Sequence, residues 1–123
     1  MPFRIVVCDD QPAFRMIVST VLRLEPDVEV VGEGGDGQQA IELAVRLKPD
    51  VLLLDIAMPV MDGLEALPHI RAGSPETKVV MLTGVANHSV RQSALDGGAA
   101  LFLEKGVDID ELVRAVVELS RGD

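Results

Sequence analysis

Hydrophobic positions along the chain fall into two alternating patterns. Short, nearly continuous apolar runs occupy 3–8, 28–32, 51–54, 79–82 and 99–103. They are rich in Val, Ile and Leu, too short for helices, and bounded by polar residues, Gly or Pro, which predicts buried strands. Between them, apolar residues recur at helical spacing. Phe14, Ile17, Val18, Val21 and Leu22 predict a helix over 12–24, and Ala40, Ile41, Ala44, Val45 and Leu47 one over 37–47. Leu112, Val113, Val116 and Val117 predict a last helix over 108–120. Helices over 63–71 and 87–96 complete the series, the second weakly patterned. Pro12 suits a first helical turn, and Pro26 and Pro49 stop the first two helices. Pro59 with Asp62-Gly63 makes a turn. Asn87 suits an N-cap, and Gly97-Gly98 close the fourth helix.

Five strands alternating with five helices, with no polar alternation in the strands, predict an α/β fold whose parallel sheet is covered on both faces. Right-handed crossovers leave few topologies. The expected architecture is a flavodoxin-like (βα)5 three-layer sandwich of strand order 2-1-3-4-5, a single domain over 1–123. Its topological switch point lies between strands one and three.

The acids fall at that point. Asp9-Asp10 follow the first strand and Asp55 follows the third. Carboxylates crowded at one sheet edge repel, and a divalent cation relieves them. An all-oxygen donor set selects a hard ion, Mg²⁺ before zinc or copper. Two further groups end strands on the same edge, Thr83 after the fourth and Lys105 after the fifth. Three carboxylates, a hydroxyl and an ammonium suit phosphoryl transfer. One carboxylate serves as nucleophile, and cations neutralise the transferring oxygens. Asp55, on the central strand, is the expected nucleophile, and Asp9 and Asp10 the metal pair.

Composition narrows the setting. Apolar residues make up 48% and charged residues 25%, without Trp or Tyr, so the core is aliphatic. Eleven basic against twenty acidic residues give a formal charge of −9, which argues against direct nucleic-acid binding by this domain. The single cysteine, Cys8, cannot form an internal disulfide and reads as a small buried hydrophobe. No apolar run approaches the roughly 20 residues that cross a bilayer, and no signal-peptide pattern precedes the first strand. The expected location is the cytoplasm, away from membranes.

Asp9-Asp10, Asp55-Ile-Ala-Met-Pro-Val-Met-Asp-Gly63, Thr83 and Lys105 together resemble the response regulator receiver domain of two-component signalling, over essentially the whole chain. The resemblance implies that Asp55 accepts a phosphoryl group from a phosphohistidine on a sensor histidine kinase or histidine phosphotransfer protein. It implies that Asp9, Asp10, Asp55 and the backbone carbonyl of Ala57 hold Mg²⁺. Thr83 and Lys105 would contact the phosphoryl group, and Phe102 would be the aromatic switch residue, turning inward as Thr83 moves. The face of strand four, helix four, strand five and helix five would then bind a partner or a second copy. A phosphoacceptor of this kind assists its own chemistry and is not an enzyme turning over a substrate. Asp9-Asp10-Gln11-Pro12 with Arg15 resembles receivers joined to a C-terminal helix-turn-helix domain. No such domain follows here, so the chain reads as a stand-alone or excised receiver.

Three positions depart from the pattern. Gly106 replaces a Pro that is often cis, Glu104 replaces an apolar residue, and Phe102 lacks the hydroxyl of Tyr. Ala57 and Val85 leave water an open approach to the site.

Rival readings use fewer residues. Gly32-Glu-Gly34-Gly-Asp-Gly37 matches a dinucleotide fingerprint but follows the second strand and leaves Asp9, Asp10, Thr83 and Lys105 idle. It reads instead as a flexible turn. His69 and His88 have no ligand-spaced partner and read as surface residues, and the five Met read as core filler. A haloacid dehalogenase-type phosphatase would need Asp-x-Asp after strand one, where this chain has adjacent acids. A degenerate receiver acting by contacts alone would not need all five chemical residues. Steady ester turnover lost more in Asp9→Asn than in Asp55→Asn would mark the phosphatase.

Overall fold

The fold, obtained as a computed structural model, is described for residues 2–84 and 87–122. Val85 therefore lies outside the described residues. The elements run β1 (Phe3–Cys8), α1 (Pro12–Arg23), β2 (Val28–Gly34), α2 (Gly37–Leu47), β3 (Val51–Asp55), α3 (Gly63–Gly73), β4 (Lys78–Thr83), α4 (His88–Asp96), β5 (Leu101–Glu104) and α5 (Ile109–Ser120). The sheet is fully parallel in the expected order β2-β1-β3-β4-β5.

Strand periodicity divides the core in two. Val6, Cys8, Leu52, Leu54, Val79 and Met81 face α2, α3 and α4. Ile5, Val7, Val51, Leu53, Val80 and Leu82 face α1 and α5. All twelve are at most 1% exposed, so both faces of the central strands are packed. Truncating one of these leucines to Ala costs about 2–5 kcal/mol.

The helix starts are chemically specified. Asp36, Asn87 and Asp108 each cap a helix by accepting a backbone N–H, and Asp62 with Glu65 forms a reciprocal capping box on α3. Helix α1 has no side-chain cap and relies on Pro12 at its start.

Several boundaries and burials differ from the sequence reading. Gly32–Gly34 belong to β2, not to a flexible turn. A bulge shifts the β1–β2 register so that Ile5 faces Val30 and Val6 faces Gly32. Only Gly37 stands at the helix start, and a Cβ there would overlap the Met61 backbone, whose carbonyl accepts from Gly37 N–H at 2.9 Å. Strand β5 begins two residues late, because Ala99 N–H closes α4 on the Ala94 carbonyl. Met16 (64% exposed) and Ile17 lie on the surface of α1, so not every described Met fills the core. Pro68 sits inside α3 and is exposed. Val60 takes a left-handed φ of 69° on the β3–α3 loop, a strained choice for a β-branched residue.

Two substitutions test this packing. The Ser19 hydroxyl on α1 is fully buried with no hydrogen-bond partner. Ser19→Ala is expected to raise stability by about 1 kcal/mol in denaturant titrations. Gly37→Ala is expected to lower it by about 1–3 kcal/mol, because α2 must back away from the Met61 carbonyl.

Candidate functional site

Register alone brings the distant acids together. Cys8 pairs with Leu54 across β1 and β3, so Asp9 and Asp55 leave adjacent strands at the same level. Thr83 pairs with Glu104 across β4 and β5, so Lys105 emerges beside Thr83, and Lys105 N–H donates to the Thr83 carbonyl at 2.8 Å. The turn after β3 is held by Gly63, whose N–H donates to the Ile56 carbonyl at 2.8 Å. A Cβ on Gly63 would overlap the Asp55 carbonyl, so only glycine lets α3 start this close to Asp55.

The side chains form an acidic cup. Oxygens of Asp9, Asp10 and Asp55 lie within 4.8 Å of one another. Asp9 is fully buried, Asp55 is 1% exposed, and Asp10 faces solvent. Asp9 Oδ1 accepts from Gln11 N–H at 2.8 Å. The Lys105 ammonium stands 2.8 Å from Asp9 Oδ2 and 3.1 Å from Asp55 Oδ2. Both oxygens are buried and share the one ammonium. Two buried carboxylates sharing one cationic group, beside a third carboxylate at the surface, fit the oxygen-only set of a hard divalent cation.

Electrostatics follow from this geometry. Burial first, and the Asp9 charge second, push the Asp55 carboxyl up to about 6, against the lowering pull of Lys105. The Lys105 ammonium is raised because its two carboxylates outweigh its desolvation, which alone would lower it. Burial pushes the Cys8 thiol up to about 12, which makes it inert as a nucleophile.

The remaining predicted residues surround the cup. Thr83 is buried at the end of β4, and Ala57 is exposed on the loop after Ile56. Among the described residues no peptide is cis, so Lys105–Gly106 is trans. Phe102 is already inward, at 7% exposure in the core, with Arg91 of α4 above its ring at 5.8 Å. The inward orientation expected of the switch residue is the one seen in this arrangement. Beside it lies a cleft of about 430 Å³ lined by Asn87, Arg91, Phe102, Leu103, Glu104 and Val107. His69 and His88 are exposed, as expected.

Two residues at the site carry roles the sequence reading did not assign. Arg15 donates to the Asp9 carbonyl at 2.6 Å and pairs with Glu33 at 3.4 Å, tying the end of β1 to β2. The Phe14 ring lies 4.9 Å below the Lys105 ammonium. Their place in the first turn of a helix that follows an acid pair is the sequence signal that could have found them.

Such a cup lies at the switch point of a flavodoxin-like 2-1-3-4-5 sheet, where open α/β sheets bind their ligands. Residues 5–117 match the response regulator receiver domain, and the chain belongs to that family of two-component signalling domains. It is 37% identical to the response regulator protein VraR of Staphylococcus aureus over all 123 residues, which cover 59% of VraR. The signal receiver domain of NarL from Mycobacterium tuberculosis superposes with a TM-score of 0.93 at 39% identity, covering 99% of this chain and 98% of that one. The response regulator domain of Thermotoga maritima CheB superposes at 0.88 with 32% identity, covering 98% and 95%. This is a signalling domain family, not a family of classical catalysts. No described helix is long and apolar enough to cross a membrane.

The raised Asp55 carboxyl sets a pH dependence. Between about 4 and about 6 the folded state holds a proton that the unfolded chain has lost. Without divalent cations, stability is therefore highest below the unfolded value and falls as pH rises through about 6. Asp55→Asn removes this penalty. In EDTA it is expected to gain on the order of 1–2 kcal/mol over wild type at pH 7.5, less than the full linkage value because the cup opens to water at Asp10. The gain should shrink below pH 4 in thermal melts.

Proposed function

We propose that this chain is a phosphoacceptor switch in which Asp55 takes a phosphoryl group from a phosphohistidine. The donor is a sensor histidine kinase or a histidine phosphotransfer protein in the cytoplasm. One observation carries the reading: a buried carboxylate at the end of the central strand, flanked by Asp9 and within 3.1 Å of the Lys105 ammonium. In the transfer, the P–N bond of the phosphohistidine breaks as a P–O bond forms to an Asp55 oxygen. The electron pair goes to the imidazole nitrogen, which takes up a proton. Asp9, Asp10, Asp55 and the Ala57 carbonyl would hold Mg²⁺, which supplies charge neutralisation to the transferring oxygens.

The chain's own residues do the rest. Asp55 supplies the nucleophilic oxygen, and its raised affinity for protons marks a carboxylate eager for a cation or a covalent partner. Lys105 and Thr83 contact the new phosphoryl oxygens. The group adds about −1.5 to −2 charge, which draws the ammonium away from Asp9. Strands β4 and β5 move with Thr83 and Lys105, and α4 follows, since Ala94 is its only buried residue. The cleft at Arg91 and Phe102 is the surface that changes. It would meet a partner protein or a second copy, without direct nucleic-acid contact by this domain.

Incubation with acetyl phosphate and Mg²⁺, read by intact mass, is expected to add one phosphoryl group to wild type and none to Asp55→Asn. An unmodified wild type would refute the phosphoacceptor reading. Sedimentation with and without the beryllofluoride mimic tests the output face. A change in mass or in partner binding is expected, and identical behaviour in both states would remove that face from the mechanism.

A further inference from the structure

Among the described residues, the Lys105 ammonium is approached by two acids and by one aromatic ring. Asp9 and Asp55 approach at 2.8 and 3.1 Å, and the Phe14 ring lies 4.9 Å away, inside cation–π range. The Lys105 side chain is 15% exposed, so the contact is largely shielded from water and correspondingly stronger. Phe14 sits in the first turn of α1, which Pro12 fixes against the end of β1. Arg15, the next residue, ties that turn to the Asp9 carbonyl at 2.6 Å. The ring is therefore held in place relative to the acids.

We propose that Phe14 is a positioning residue for Lys105: its ring is the platform on which the ammonium rests before and after it engages a phosphoryl group. The inference deepens the phosphoacceptor reading and rests on it for the second half of that statement. The physical ground is direction. A carboxylate oxygen attracts the ammonium to a point, whereas the negative face of a ring attracts it over an area. When Asp55 gains negative charge, the ammonium must slide off Asp9 Oδ2 towards it. A ring beneath it stays attractive along that path, where an aliphatic side chain of similar bulk only excludes water. Phe14 also borders the core facing α1 and α5, so packing alone could explain an apolar residue here. The experiment has to separate the ring's charge distribution from its bulk.

Three variants do so, Phe14→Leu, Phe14→Tyr and Lys105→Met. The first readout needs no phosphorylation. In NMR spectra of the metal-free protein, the Lys105 ε-methylene protons are expected to be displaced by the aromatic ring. They are expected to move to ordinary lysine shifts in Phe14→Leu and to stay displaced in Phe14→Tyr. The second is the rate of phosphorylation by acetyl phosphate. It is expected to fall about 3- to 10-fold in Phe14→Leu, the equivalent of one cation–π contact, and to remain within about 2-fold in Phe14→Tyr. In a Lys105→Met background, Phe14→Leu is expected to add no further loss, since the contact is already gone. Unchanged Lys105 shifts in Phe14→Leu, or an equal loss in the Lys105→Met background, would overturn the proposal. If Asp55 takes no phosphoryl group in any variant, the phosphoacceptor reading fails, and the proton shifts still decide whether Phe14 holds the ammonium.

Discussion

Charge crowding at the ends of β1 and β3 is the constraint that the rest of the molecule is built around. At an effective dielectric of about 20, two carboxylates 4.8 Å apart repel by about 3 kcal/mol, and an ammonium at 2.8 Å attracts one by about 6 kcal/mol. Two such attractions and three such repulsions are of similar size, so desolvation decides the balance. It decides against the buried acid, which is why Asp55 is pushed up to about 6 while Lys105 remains charged. The cup is short of positive charge. That deficit is what makes a cation fit there, and under the proposed phosphoacceptor role it would also make the cup receptive to an electrophilic phosphoryl group.

Holding the cup requires stiffness at the loops that end in it. Gly63 allows α3 to begin against the Asp55 backbone, and Gly37 allows α2 to close on Met61 of the same loop. The Asp62–Glu65 capping box fixes the start of α3, and strain is stored one turn earlier at Val60. On the other side, Pro12 and the Arg15–Asp9 contact fix α1. These features are restraints on the backbone: close glycine packing, a capped helix start and an anchored Asp9 carbonyl. Each limits how far Asp9, Asp55 and Lys105 can drift apart, and at these separations an ångström changes the Coulomb energy by more than 1 kcal/mol.

The opposite behaviour is found beyond β4. Helix α4 buries Ala94 and little else, and the cleft beside it exposes part of β5. Few apolar contacts mean a low free energy for local movement. A rigid cup joined through Thr83 and Lys105 to a lightly anchored helix is the arrangement in which a local charge change biases a larger element. Phe102, buried and covered by Arg91, joins that helix to the sheet.

Element types, strand order and the gathering of Asp9, Asp10, Asp55 and Lys105 at one edge were all legible in the residue pattern. Parallel strands buried on both faces leave continuous apolar runs, and in an alternating fold the ends of those runs must share an edge. The glycine run 32–37 misled at short range, because strand and turn share small residues and only the pairing with β1 tells them apart. Ile17 misled because helical periodicity gives a face but not its width, and Met16 because residue type alone does not place a side chain in the core. What the chain alone could not disclose is relative orientation. Whether Phe102 points in, whether Phe14 lies under Lys105, and whether Arg15 reaches the Asp9 carbonyl depend on side chains meeting across elements far apart in sequence. Those meetings are set by packing angles and rotamers, to which a pattern of polar and apolar letters is blind.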